Sequence, residues 1–186
     1  EYKGIIYAGI MLTDQGVRFL ECNARLGDPE TQVLLSLLDS DLYSILDDCE
    51  RGRVPVIKWK NLYAAGVVIA HVLYPESKLD EPVQVSIGDL ELVDDLQICH
   101  NNIQKHNNEL TTTGGRVLTV VSTKTSLSEA LQHIYNNIWK VTFPGSYYRQ
   151  DIGANAISRH ILDSSLRIGI LASGNGASVT KLLNEQ

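Results

Sequence analysis

The sequence lacks the features that define several large classes of protein. Its three cysteines, Cys22, Cys49 and Cys99, form no CxxC pair and no metal-ligand spacing, which predicts reduced, buried thiols. No apolar run is long enough to span a membrane, and we expect no signal peptide. The net charge of -6, without a Lys/Arg cluster, argues against nucleic-acid binding. We therefore expect a cytoplasmic protein that binds neither nucleic acid nor membrane.

What the sequence does contain is ordinary globular material. It has 186 residues, of which 44% are hydrophobic and 20% charged, enough for a core in one or two domains. The chain opens on "EYKGIIYAGIML", which has the pattern of a strand already under way. We interpret this opening as a fragment that begins inside a domain.

The order of predicted elements indicates an α+β protein. Apolar, β-branched runs between turn residues predict strands at 4–12, 17–22, 62–74, 83–87, 90–93, 96–100 and 116–122. Helical spacing and capping residues predict helices at 28–38, 40–52, 126–139 and 151–162. Ser126 and Glu129 are expected to form a capping box at the start of the third of these helices. The short strands after residue 82 predict a small curved sheet or a barrel-like domain.

Charged and polar residues are concentrated in "FLECNARLGDPETQ" (19–32), between two apolar segments. Alternate residues of a strand share a face, so Glu21 and Asn23 present two oxygens on one side. Such a pair suits Mg²⁺, which takes few protein ligands and keeps water or phosphate oxygens. Arg25 follows with a planar fork suited to phosphate or carboxylate.

The same stretch predicts a helix start. Asp28 is expected at the N-cap, Pro29 at the first helical position and Glu30 in the first turn. A purely structural alternative remains open, in which the helix is capped and Arg25 forms a solvated salt bridge with Asp28 or Glu30.

The last residues, "LRIGILASGNGASVTKLLNEQ" (166–186), predict a strand, a Gly-rich turn and the start of a helix. We interpret them as the truncated first β-α unit of an α/β domain, joined through a linker at 163–165. Two alternatives remain: a dinucleotide-binding loop, which would need a third glycine, and a tight turn that binds nothing.

The string "ECNARLGDPETQ" resembles the signature of the phosphoribosylamine–glycine ligase family, also called glycinamide ribonucleotide synthetases, which have the ATP-grasp fold. The resemblance covers roughly residues 1 to 160 and includes "AAGVVIAHVLYP", "TTTGGRVLTVV" and "YYRQDIGANAI". It implies the C-terminal part of an ATP-grasp domain at 1–60 and the family's small C-terminal domain at 61–162.

The resemblance also implies a reaction in de novo purine biosynthesis. Family members join 5-phosphoribosylamine and glycine at the expense of ATP, through glycyl phosphate. Glu21 and Asn23 would hold the Mg²⁺ or Mn²⁺ that bridges the ATP phosphates. Arg25, Asp28 and Glu30 would be the catalytic residues that shape the pocket beside the transferred phosphoryl group.

This sequence departs from some ATP-grasp enzymes on the preceding strand. That strand, "YAGIML", has no further acidic metal ligand. In the family, the adenine pocket and the phosphate lid precede residue 1. The chain is therefore expected to be inactive without those missing domains of the same polypeptide.

The tail "RIGILASGNGASVTKLL" is similar to the start of the glycinamide ribonucleotide formyltransferase family. In that family, backbone amides of the loop hold the substrate phosphate, and Gly176, Ala177 and Ser178 would take those places. The two resemblances together imply a multifunctional purine biosynthesis protein. Formyltransferase activity is not expected from this chain.

The roles of three residues in the small domain have two alternatives. Arg116, Arg149 and Asp151 could reach a substrate from loops, or they could form local ion pairs. For the chain as a whole, the alternative to a ligase is a non-catalytic remnant that acts as an interaction or scaffold segment.

Overall fold

The structure, a computed structural model, describes residues 2–75, 81–90, 93–162, 168–173 and 176–181. Within those ranges, no helix has the length and apolarity needed to cross a membrane. The strands are β1 (Tyr7–Thr13), β2 (Gly16–Asn23), β3 (Tyr63–His71), β4 (Gln84–Val85), β5 (Leu96–His100), β6 (Ile103–His106), β7 (Glu109–Thr112), β8 (Arg116–Lys124), β9 (Ser146–Tyr147), β10 (Ile168–Ser173) and β11 (Gly176–Lys181). The helices are α1 (Glu30–Leu37), α2 (Leu42–Glu50), α3 (Leu127–Tyr135) and α4 (Ala154–Leu162).

The first two strands form an antiparallel hairpin, as their apolar runs predicted. Gly9 of β1 lies opposite Glu21 of β2, and the register shifts just after Gly9. Most side chains of β2 are exposed, including Cys22, so the prediction that this thiol is buried was wrong. Cys49 and Cys99 are half-buried, and all three cysteines are free.

Helix α1 begins differently from the prediction. It starts at Glu30, with Pro29 at the N-cap position and no capping side chain, so the prediction that Asp28 caps it was wrong. The carboxylate of Asp28 instead binds side chains that are distant in sequence, which draws it away from the helix N-terminus. Helix α2 has a regular cap, because Asp41 accepts a hydrogen bond from the Ser44 N–H at 2.7 Å.

The core is built on a four-stranded antiparallel sheet in the order β5-β8-β3-β9. Strands β3 and β8 are almost continuously buried, since α3 packs with them in the main core and α1 brings Val33 against Ala64 and Val121. Coverage from both sides explains why these two strands are apolar without alternation. The prediction of both strands is confirmed.

A second, three-stranded sheet has the order β4-β7-β6. The β6–β7 hairpin was not predicted, and it turns through Asn107 and Asn108, which have φ of 48° and 67°. Of 90–93, expected as a strand, the two described residues, Leu90 and Val93, lie outside any strand. Among the described residues, the strands form open sheets, so the expected barrel-like closure was wrong. In the four-stranded sheet, β5 forms one edge and β9 the other, and the described strands show no pairing between these two edges.

Helix α3 has the cap that the sequence predicted. The Ser126 hydroxyl accepts a hydrogen bond from the Glu129 N–H at 3.2 Å. The buried residues Leu127, Ala130 and Ile134 lie along one face of the helix, which packs on the large sheet. The helix ends at Tyr135, earlier than predicted, and a short 3-10 helix follows at Ile138–Lys140.

The tail differs from the predicted β-α unit. Strand β10 forms as expected, but Gly176–Lys181 is a second strand that pairs with it in antiparallel register, with Ser173 opposite Gly176. The predicted helix start is therefore wrong. Val179 and Thr180 are β-branched and favour a strand, and a helix of two turns has little intrinsic stability in water.

Candidate functional site

The predicted metal ligands lie at the end of strand β2. Glu21 is exposed, and Asn23, the last residue of the strand, is half-buried. The side chain of Glu21 crosses the backbone of Gly9, because a Cβ on Gly9 would come within 2.9 Å of the Glu21 Cγ. The absence of a side chain on Gly9 therefore makes room for Glu21.

The side chain of Arg25 binds residues next to it in the chain rather than the carboxylates at the start of the helix. Its Nη1 donates to the Leu26 carbonyl at 2.8 Å, and its Nη2 donates to the Asn23 Oδ1 at 3.3 Å. The alternative of a salt bridge from Arg25 to Asp28 or Glu30 is thus not the arrangement found. The guanidinium lies beside the Asn23 amide oxygen, one of the two predicted metal ligands.

Asp28 accepts hydrogen bonds from three side chains. Its Oδ1 accepts from Gln32 Nε2 and from Asn101 Nδ2, both at 2.8 Å. Its Oδ2 lies 3.3 Å from Arg116 Nη2, and its backbone carbonyl accepts from Arg116 Nη1 at 2.7 Å. The sequence placed Asp28 at a candidate site and Arg116 on a separate loop, and the structure joins them.

The two distant partners of Asp28 are themselves held in place. Asn101 accepts a hydrogen bond from the Thr119 hydroxyl at 3.1 Å, which orients its amide. The guanidinium of Arg116 lies 5.7 Å from the centre of the Tyr74 ring, a cation–π distance. Contacts within the large sheet and its loops therefore orient both residues independently of their contacts with Asp28.

Glu30 is buried, with 5% of its surface exposed, although it is a carboxylate at a helix start. Its Oε1 accepts a hydrogen bond from the Tyr7 hydroxyl at 3.2 Å, which connects strand β1 to helix α1. Its other carboxylate oxygen packs against Gly27 so closely that a Cβ there would collide with it. The observed position of the Glu30 side chain therefore requires a glycine at position 27.

The donor set at Glu21 and Asn23 fits a hard divalent cation. Both residues offer oxygen, the ligand that Mg²⁺ and Mn²⁺ prefer, and Mg²⁺ usually keeps several non-protein ligands. In the part of the chain that the structure describes, no cluster of three or more His, Cys, Asp or Glu could hold a metal. A metal here would therefore take two protein ligands and leave the other positions to phosphate oxygens and water.

Arg149 and Asp151 form a local, bidentate ion pair. Arg149 Nε and Nη2 donate to the two Asp151 oxygens at 2.9 and 2.6 Å. The hydrogen bond from Arg149 lowers the pKa of Asp151, and the same contact raises the pKa of Arg149. The pair matches the local alternative, and a substrate role for either residue stays a prediction.

The predicted phosphate-binding residues of the tail, Gly176, Ala177 and Ser178, lie in strand β11 opposite Ser173, Ala172 and Leu171. Residues 174 and 175, which belong to the predicted loop, lie outside the described residues. A strand lacks the helix N-terminus on which the predicted anion site depended. Phosphate binding by these residues stays a prediction.

Three residues of the site were missed by the sequence reasoning. Gly9 could have been noticed as a glycine inside a strand, which often marks a close approach. Tyr7 and Asn101 carry no local signal, because each acts on a residue far away in sequence: Tyr7 on Glu30 and Asn101 on Asp28.

Comparison with known families matches both parts of this arrangement. The family described as "Phosphoribosylglycinamide synthetase, C domain" matches residues 64–155, and "Phosphoribosylglycinamide synthetase, ATP-grasp (A) domain" matches residues 1–31. The first match covers the two open sheets and the second covers the hairpin with Glu21, Asn23 and Arg25. The hairpin and the open sheets thus match parts of two domains of an ATP-grasp family.

More specifically, the chain belongs to the phosphoribosylglycinamide synthetase family. It is 39% identical over 163 residues to the phosphoribosylamine–glycine ligase of Halalkalibacterium halodurans, which covers 88% of this chain and 38% of that protein. It is 42% identical over 166 residues to the trifunctional purine biosynthetic protein adenosine-3 of Chironomus tentans, covering 87% of this chain and 12% of that protein.

A solved structure shows the same fold. The crystal structure of phosphoribosylamine–glycine ligase from Thermotoga maritima aligns with a TM-score of 0.65 at 30% identity, over 78% of this chain and 36% of that protein. The chain thus spans well under half of the length of these relatives.

Proposed function

We propose that this chain forms one wall of the active site of an ATP-dependent ligase in de novo purine biosynthesis. The ligase joins 5-phosphoribosylamine and glycine to give glycinamide ribonucleotide through glycyl phosphate. The observation that carries the proposal is the position of three side chains directly before the Asp28 turn. Glu21 and Asn23 lie at the end of β2, and Arg25, just beyond the strand, donates to the Asn23 oxygen. The relatives named phosphoribosylamine–glycine ligase support the choice of reaction.

Glu21 and Asn23 hold Mg²⁺ or Mn²⁺ in this proposal. When bound, the metal neutralises charge on the ATP phosphates, which phosphoryl transfer requires more than covalent chemistry from the protein. The room that Gly9 leaves for Glu21 supports the assignment.

Arg25 and the turn that carries Asp28 and Glu30 line the pocket beside the transferred phosphoryl group. Arg25 already contacts the Asn23 oxygen, so its guanidinium lies next to the proposed metal position. Burial of Glu30 under Tyr7 fixes the turn on the helix side. Arg149 and Asp151, which bind each other, are proposed as substrate-loop residues.

The surrounding organisation follows from the same proposal. Residues 1–60 are the end of the ATP-grasp domain, residues 61–162 are the small C-terminal domain, and the protein works in the cytoplasm on small molecules. The trifunctional relatives support a multifunctional polypeptide in which further domains act with this chain.

The proposal is tested by a fusion. The full 186-residue chain replaces the matching segment of the Halalkalibacterium ligase, behind the part of that ligase that precedes the match. ATP-, glycine- and phosphoribosylamine-dependent formation of glycinamide ribonucleotide is expected from this parent fusion. An inactive but folded parent fusion would contradict the ligase proposal.

The metal assignment is tested in the same fusion. The double variant Glu21→Gln with Asn23→Ala is expected to lose metal-dependent turnover and to keep its thermal unfolding midpoint. Glu50→Gln, an exposed carboxylate at the end of α2, is the matched control and should retain turnover. Normal turnover in the double variant would exclude Glu21 and Asn23 as the metal ligands.

A non-catalytic role is the alternative proposal. Val17, Phe19 and Leu20 of the hairpin are between 58% and 64% exposed in this chain, which covers 38% of the Halalkalibacterium ligase. A scaffold or interaction segment would use this surface without turnover. A parent fusion that folds with this hairpin in place but forms no glycinamide ribonucleotide would support that role.

A further inference from the structure

We propose that Arg116 and Asn101 are positioning residues, which bind Asp28 and thereby fix the turn that carries the candidate ligase site. The proposal rests on the proposed function and adds residues that lie outside the motif by which that site was found. Neither residue contacts Glu21, Asn23 or Arg25 in the contacts that the structure describes. Their effect must therefore pass through Asp28.

The first step of the argument is the number of donors around Asp28. Arg116 binds both its backbone carbonyl and its Oδ2, while Asn101 and Gln32 bind its Oδ1. Two of these partners come from the large sheet and its loops, and one comes from α1. A carboxylate with its oxygens engaged in this way is a fixed anchor rather than a free acid or base.

The second step is the short path from Asp28 to the site. Asp28 follows Asn23 closely in the chain, and Arg25 spans part of that path by binding the Leu26 carbonyl and the Asn23 oxygen. At the other end, the Thr31 N–H donates to the Gly27 carbonyl at 3.1 Å. The turn is therefore tied to β2 at one end, to α1 at the other, and to β8 in the middle through Arg116.

The third step is the chemistry of the contact. An exposed ion pair contributes little, but Arg116 and Asp28 are only 27% and 38% exposed and share a network with Asn101 and Thr119. The guanidinium binds two acceptors of one residue, which a lysine ammonium cannot do with the same geometry. Arg116→Lys therefore keeps the charge and removes the geometry.

The main experiment uses the active parent fusion and the variant Arg116→Lys. We expect kcat to fall by about tenfold to a hundredfold, because small displacements of a positioned group have effects of this size. The KM for ATP should change little. Arg51→Lys is the matched control, because Arg51 also pairs with a carboxylate, Asp47 at 2.8 Å, on an exposed helix surface away from the turn. It should keep the parent kcat.

A second variant tests the Asn101 contact. Asn101→Asp replaces the amide that donates to the Asp28 Oδ1 with a carboxylate, so two carboxylates face each other. We expect kcat to fall while the KM for ATP changes little.

The outcomes distinguish three cases: Arg116 and Asn101 position the turn, they only stabilise the fold, or the proposed ligase function is wrong. Each variant is assayed below its unfolding midpoint, and kcat is expressed per folded molecule. A lowered midpoint with unchanged kcat per folded molecule would overturn the proposal, as would no change at all. An inactive parent fusion would overturn the proposed function and this inference with it, whereas an active parent with unaffected variants overturns the inference alone.

Discussion

Arg116 Nη2 lies 3.3 Å from the Asp28 Oδ2, and Arg116 Nη1 lies 2.7 Å from the Asp28 carbonyl oxygen, across a separation of 88 residues. Arg116 is the first residue of β8, a buried strand of the large sheet, and Asp28 precedes α1. The contact means that the motif "GDPE" is completed by a residue of the C-terminal sheet. Substitutions at that end of the sheet should therefore change the position of the turn that carries Asp28.

Gly9 provides a direct test of the metal site. Gly9→Ala places a Cβ within 2.9 Å of the Glu21 Cγ, so the Glu21 side chain must move. We expect metal affinity in the parent fusion to fall by about tenfold, as is typical when a supporting contact of a ligand is disturbed. Mn²⁺ titration followed by electron paramagnetic resonance measures the change.

The control for Gly9 is its neighbour Ala8, whose side chain points to the opposite face of β1. Ala8→Ser should leave Mn²⁺ affinity unchanged. Equal affinities for Gly9→Ala and the parent would show that the position of Glu21 does not matter for metal binding.

Tyr7 provides a test of the buried Glu30. Tyr7→Phe removes the hydroxyl that donates to Glu30 at 3.2 Å and leaves the carboxylate without that partner. We expect the free energy of unfolding to fall by about 1 kcal/mol, measured by urea titration. Tyr2→Phe is the control, because the Tyr2 hydroxyl bonds a backbone carbonyl at an exposed position. Equal losses in both variants would contradict a special role for the Tyr7 contact.

His133 predicts a pH dependence of stability. Burial lowers its pKa, the neighbouring Lys124 lowers it further, and Asp95 opposes the shift. Its Nδ1 lies 3.2 Å from the buried Ser122 hydroxyl. Because the folded-state pKa is below that of the unfolded chain, about 6.5, the unfolded state binds more protons just below that pH. Stability is therefore lost as pH falls through about 6.5 toward the lowered pKa.

The measurement compares unfolding midpoints between pH 5 and pH 7.5, roughly the range in which histidine titrates. His133→Gln should flatten the change over this range, whereas His106→Gln, at an exposed position of β6, should leave it as in the parent. An unaltered pH profile in His133→Gln would show that another group is responsible.

The Asn107–Asn108 turn predicts a sharp difference between two substitutions. Both residues have positive φ, as the tight turn of a two-residue hairpin requires. Asn108→Val should lower the free energy of unfolding by about 1–2 kcal/mol, because a β-branched residue is strained there. Asn108→Gly is the matched control and should be tolerated. Similar stabilities for the two variants would contradict the turn geometry.

The parts of the fold that the sequence predicted are those specified by neighbouring residues. Strands β3 and β8 are long apolar runs because both of their faces are buried, and the cap of α3 needs only Ser126 and Glu129. The β6–β7 hairpin was missed because its strands are polar and half-exposed, so alternation is weak. Its double asparagine was the available signal.

The sequence suggested which residues form the candidate site, but it could not show which distant residues contact them. The face shared by Glu21 and Asn23 follows from strand alternation, whereas the role of Asp28 depends on Asn101 and Arg116. A local rule assigned Asp28 to the helix cap, and donors from distant residues took it instead. The tail shows the same limit, since pairing with β10 competes with any helix at Gly176–Lys181.

The contact between Asp28 and its two distant partners also restricts how related proteins can exchange parts. A protein recombined at any point between residues 33 and 100 would take Asp28 from one parent and both of its distant partners, Asn101 and Arg116, from the other. Progeny would keep these contacts only where the two parents carry compatible residues at these three positions. In this chain, the segment before α1 and the large sheet are therefore linked by one set of side-chain contacts at this turn.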